Sequence, residues 1–147
     1  MSTLVGHPGE LSLATLLATL TTTLHPATYV FAVVQDESKL PPFSKVQMLF
    51  REAESEGVTV ILTREDAEAY SLEYCFPCRK ITINVTSSLD AVGFIAVVAT
   101  RLAANNMGVN PVSGFYHDHL FVPEGREEYA ITVIAELAEE KRKEIET

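Results

Sequence analysis

The order of elements in residues 80–143 limits this chain to few folds. Lys80 to Val85 alternates Ile81 and Ile83 with polar neighbours, the pattern of a strand with one buried face. Thr86, Ser87 and Ser88 offer hydroxyl caps to a helix that the apolar run predicts from about Leu89 to Asn106, and Asn106-Met107-Gly108 offers its stop. Strands are expected near Val109 to Tyr116 and His119 to Val122. After Pro123-Glu124-Gly125 a second helix places Tyr129, Val133, Ile134 and Leu137 on one face, with solvated charges from Glu139 to Lys143. The resulting β-α-β-β-α series lacks one closing strand, which has to come from elsewhere in the chain.

The first half holds the material to supply it. Leu13, Leu16, Leu17, Leu20 and Leu24 recur at helical spacing, predicting a helix over 10–24 that Pro26 ends. Thr28 to Gln35 is rich in aromatic and β-branched residues and reads as a buried strand. A loop from Asp36 to Ser44 follows. Residues 45–56 fit a helix or a strand, with strand through about Glu52 the better fit. Val58 to Thr63 is a clear strand, and Thr63 with Asp66 three residues on predicts a capped short helix over 64–70. The fold class expected is therefore α+β, as two ferredoxin-like βαββαβ-type modules, residues 1–76 and 77–147, able to exchange a strand. Pro111 cannot donate to a ladder, which places its strand at a sheet edge.

The helix predicted over 89–106 is apolar around nearly its whole circumference, so one face covers its own sheet and another needs a second partner. That partner is a second module or a second chain, so at least a tight module pair, and beyond it a homodimer, is the expected consequence. With 47% apolar and 21% charged residues the chain can bury a core and keep a soluble surface. Its net charge of −9, with basic residues scattered, argues against nucleic acid. Arg101 interrupts the best apolar stretch, residues 91–104, so no membrane span is expected. The start of the chain lacks the pattern of a secretory signal, and the expected location is cytoplasmic.

Ser88-Leu89-Asp90-Ala91-Val92-Gly93-Phe94 resembles the Asp-x-x-Gly signature of ACT domains, and Ala103 to Asn110 is similar to their passage from the helix end through Gly to the second strand. The run from Phe50 to Glu54, through Val58-Thr59-Val60, to Phe115 to Pro123 resembles short tandem ACT proteins of microbes and, in arrangement, the module pairs of the cytosolic arginine sensor of animals. The resemblance implies a regulatory protein rather than an enzyme. It implies a small-molecule amino acid held where two modules or two subunits meet, with a regulated protein partner as a further prospect. The ligand-binding residues it implies are Ser88, Asp90, Ala91, Val92, Gly93, Asn110, Val112 and Ser113. Chemistry agrees: a helix N-terminus suits a carboxylate, Asp90 suits an ammonium, and Asn110 offers both a donor and an acceptor. Without a ligand, Asp90 would simply favour the first helical turn and Asn110 would turn the chain.

Two other patterns carry chemistry. His117 and His119, two apart in a strand, point to one side and would suit a metal, although Asp118 points the other way and no third ligand is evident. Cys75 and Cys78 form a CxxC placed before a strand rather than at the start of a helix, which fits buried reduced thiols better than redox catalysis. There is no GxxxxGK[ST] or GxGxxG, and neither a cofactor nor a resident metal is expected.

Overall fold

A computed structural model describes residues 12–146. Four helices, α1 (Leu13–Thr19), α2 (Arg64–Ala69), α3 (Phe94–Ala104) and α4 (Glu127–Glu146), accompany six strands, β1 (Thr22–Val34), β2 (Val46–Arg51), β3 (Val58–Thr63), β4 (Tyr74–Ile83), β5 (Asn110–Ser113) and β6 (Asp118–Pro123). They form two compact units, one of residues 26–79 and one of residues 12–25 together with 80–146. The class is α+β with antiparallel pairing, as expected.

In the unit of residues 26–79 the strand order is β2-β3-β1-β4. β3 pairs antiparallel with β1 from Tyr29↔Thr63 to Val34↔Val58, and with β2 on its other side. Alternation sends Val30, Ala32 and Val34 of β1 and Val58, Val60 and Leu62 of β3 to one face, where they bury against Ala67 of α2. Each large apolar side chain so buried stabilises the unit by roughly 1.5–3 kcal/mol. Thr63 caps α2 as the sequence predicted, its hydroxyl accepting from the Asp66 N–H at 3.1 Å. The β2–β3 connection ends on Gly57 at φ +89°, where an added Cβ would stand 2.6 Å from the Val34 carbonyl oxygen.

The second unit has the order β1-β4-β6-β5, which puts β5 and Pro111 at the edge. Its closing strand is the start of β1, Thr22 to His25, held beside the end of β4 by the Asn84 N–H donating to the Thr21 carbonyl at 2.8 Å. Ile81 and Ile83 of β4 and Leu120 and Val122 of β6 pack with Leu16, Leu17 and Leu20 near α1, Phe94, Val98 and Leu102 of α3, and Val133, Ile134 and Leu137 of α4.

Several elements differ from expectation. The first helix ends at Thr19, because Thr21, Thr22 and Thr23 are β-branched and prefer the strand; Leu24 belongs to β1, and positions 10 and 11 of the expected helix lie outside the described residues. β4 starts at Tyr74 and so contains the CxxC rather than following it. α3 starts at Phe94, not Leu89. Gly93 stands at φ +90°, a left-handed conformation that breaks the helix behind it, and Ser88 is used in a turn whose hydroxyl accepts from the Asp90 N–H at 3.1 Å. Asp90 is therefore not in a first helical turn. Tyr129 is exposed, its hydroxyl donating to Asn105 Oδ1 at 2.8 Å, while Ala130 and Ala138 take the buried places on α4.

Candidate functional site

The chain leaves β4 through Thr86, Ser87 and Ser88, turns at Asp90, and enters α3 at Gly93. This loop lies over the β5–β6 hairpin, and the space between them is a cavity of about 130 Å³. Its polar wall is Ser87, Ser88, Ser113 and Asp118; its apolar wall is Leu89, Ala91, Phe94 and Ile95. The β5–β6 register sets Ser113 directly opposite Asp118. Asp118 is only 6% exposed, and Ser87 Oγ donates to its Oδ2 at 3.1 Å.

The structure brings together some of the expected ligand residues and not others. Ser88, Ala91 and Ser113 line the cavity. Asp90 and Val92 are exposed, Asn110 is exposed at the start of β5, and Val112, paired with His119, points to the face opposite Ser113. Gly93 borders a different feature, an open groove of about 390 Å³ along the outer face of α3 with Ala96, Val97, Thr100, Arg101 and Ala104. The inner face, Phe94, Val98 and Leu102, is the buried one. Asp118 was not among the expected ligand residues. The signal was in its alternation, opposite to His117 and His119 and in phase with Leu120 and Val122.

The histidines make a separate polar cluster on the other face of the same strands. Thr82 Oγ1 lies 2.7 Å from His25 Nε2 and 2.9 Å from His119 Nδ1. A hydroxyl has one proton and two lone pairs, so it can donate to at most one of the two rings and accepts from the other or from both. Burial pushes the pKa of both rings down, and the Lys80 ammonium adds to this at each; His117 and His25 depress His119 further, while Asp118 opposes weakly. Burial also lowers Lys80.

Two ACT-domain family models match the sequence, one over residues 8–79 and the other over residues 76–136. A Vibrio cholerae protein of unknown function, described as a possible transport protein, is 34% identical, with 86% of this chain and 95% of that one covered and a TM-score of 0.75. The chain is a tandem ACT-domain protein. A protein from Agrobacterium tumefaciens shares the fold at 16% identity, covering 81% of this ACT protein and 89% of its own chain, with a TM-score of 0.64. So does the regulatory subunit of aspartate kinase from Thermus flavus, at 10% identity, 80% and 96% coverage and a TM-score of 0.61. No curated protein matches the sequence.

In this ACT protein the His-Asp-His segment is divided between two faces, His119 with Thr82 and Asp118 with Ser87, and among the described residues no three His, Cys, Asp or Glu side chains gather to hold a metal. The CxxC is likewise split. Cys78 is buried, its thiol donating to the Tyr29 carbonyl at 3.3 Å, whereas Cys75 is exposed, contrary to the expectation that both are buried. Both are free thiols. Among the described residues no helix is long and apolar enough to cross a membrane.

Proposed function

We propose that this ACT protein is a cytoplasmic, non-catalytic regulatory protein that binds a small amino acid or a similar metabolite at the loop before α3. Ser88, Ala91 and Ser113 form its contact set within the cavity, with Asp90, Val92 and Gly93 on the adjoining loop, while Asn110 and Val112 of the expected set stand apart from it. The observation that carries this reading is the cavity between the 87–91 loop and the β5–β6 hairpin, in the part of the chain that one of the ACT models matches. A partly polar space beside a helix N-terminus suits a zwitterion. The kinship in fold with an aspartate kinase regulatory subunit agrees with a regulatory role.

The exposed residues of the set and the outer face of α3 point to a second copy. Leu89 and Val92 are 57% and 84% exposed, and with Ala96 and Val97 they offer an apolar surface next to the loop. A homodimer through this surface puts Asp90 and Val92 at the subunit boundary, so that ligand bound there reaches both copies. Ligand then acts by population shift, stabilising one packing through its differential affinity and passing the change to the oligomer or to a regulated partner.

The test is a thermal-shift screen against the common amino acids, arginine included. A ligand at ~100 times its Kd adds about 2.7 kcal/mol of stability, which a melting curve resolves. A reproducible rise with one compound, lost in Gly93→Val, supports the sensor. No rise with any compound replaces it with a ligand-free interaction module.

A further inference from the structure

Asp118 is the acidic group on the wall of the cavity. A carboxylate removed this far from water is ordinarily matched by a cation or by several donors, because one neutral hydrogen bond does not offset the loss of hydration. Asp118 is 6% exposed, and among the described residues its side chain has one hydrogen bond, from the Ser87 hydroxyl at 3.1 Å, and no salt bridge. It is among the residues that line the cavity. The imidazole of the next residue, His119, is turned to the opposite face and engaged with Thr82.

Resting on the reading above, we propose that Asp118 is the ammonium-binding group of the site and that the ligand is a small, uncharged-side-chain amino acid such as glycine, alanine or serine. An ammonium has three N–H donors in a compact head. Asp118 with the hydroxyls of Ser88 and Ser113 supplies acceptors from both the loop and the hairpin. The ligand carboxylate goes to the first turn of α3, whose N-cap, Gly93, provides no side-chain acceptor to occupy those N–H groups. Size sets the rest. The space is small, about 130 Å³, and Leu89, Phe94 and Ile95 make its remaining wall apolar. Three hydroxyls and one carboxylate there leave nothing to pair an acidic side chain.

The experiment is isothermal titration of the full chain with glycine, L-alanine, L-serine and L-lactate. Lactate has the size of alanine with a hydroxyl in place of the ammonium. The expected result is binding of a small amino acid, with lactate roughly 10- to 100-fold weaker than alanine and the same loss for alanine in Asp118→Asn, the size of a lost charged hydrogen bond. If Asp118→Asn does not fold, the alanine and lactate comparison on the unaltered chain decides alone. Equal affinity for alanine and lactate, or tight binding of another amino acid that Asp118→Asn leaves unchanged, overturns the role of Asp118 while the amino-acid reading stands. No binding by glycine, alanine or serine overturns this proposal, and no rise with any amino acid in the thermal-shift screen overturns the amino-acid reading as well.

Discussion

Gly57 and Thr82 show how much a single position holds here. At φ +89°, with the Val34 carbonyl oxygen 2.6 Å from where a Cβ would stand, Gly57 cannot become alanine without moving the β1 backbone. Gly57→Ala should lower stability by about 1–3 kcal/mol in urea unfolding, the range for a strained backbone site. Thr82→Val removes the one hydroxyl shared by His25 and His119, and should cost about 1–3 kcal/mol because two ring nitrogens lose their partner. The same rings set a pH dependence. Both have folded pKa values below 6.5, so the unfolded chain takes up protons first as the pH falls. Stability is therefore full above 6.5 and drops as the pH falls from 6.5 through the folded values, which urea titrations across that range will show. None of this was legible in the sequence, where His25 sits 57 positions from Thr82. Asp118 was half legible: alternation gave its direction, but only the β5–β6 register and the path of the 87–88 loop gave its neighbours.

The elements were better written. β3 and α2 follow from a β-branched run and a capping threonine, both local signals, and appear where the residues put them. α3 was misplaced at its start because apolar content continues through Leu89 and Val92, and nothing in composition says that Gly93 takes a left-handed turn. The outcome matters for function, since residues 88–92 become a loop over a cavity instead of a helical turn. α1 is short, yet Leu16 and Leu17 are buried at 1% and 3% exposure. Leu16→Ala should cost about 2–5 kcal/mol, as for other buried leucines, measured by the midpoint shift in denaturant. On the outer face of α3, Ala96→Glu changes an exposed position outside the core and should convert the proposed dimer to monomer in light scattering after size exclusion.

For the whole molecule the decisive feature is that the unit containing 80–146 also contains 12–25. A fragment beginning at residue 77 retains α3, β5, β6 and α4 but lacks α1 and the closing strand. It should show no cooperative melting transition, whereas adding residues 12–25 as a separate peptide should restore one. The sequence made the absence of the strand visible, while its source depended on pairing across more than fifty residues, which no local pattern records. That arrangement also bears on how the protein is made. A ribosome releases a chain at ~5–20 residues per second, so the leucines of α1 emerge well before the residues of α3, β6 and α4 that they pack against. Through that interval Leu16, Leu17 and Leu20 lack the core they are buried in when folded, an exposure during synthesis that the finished protein does not display.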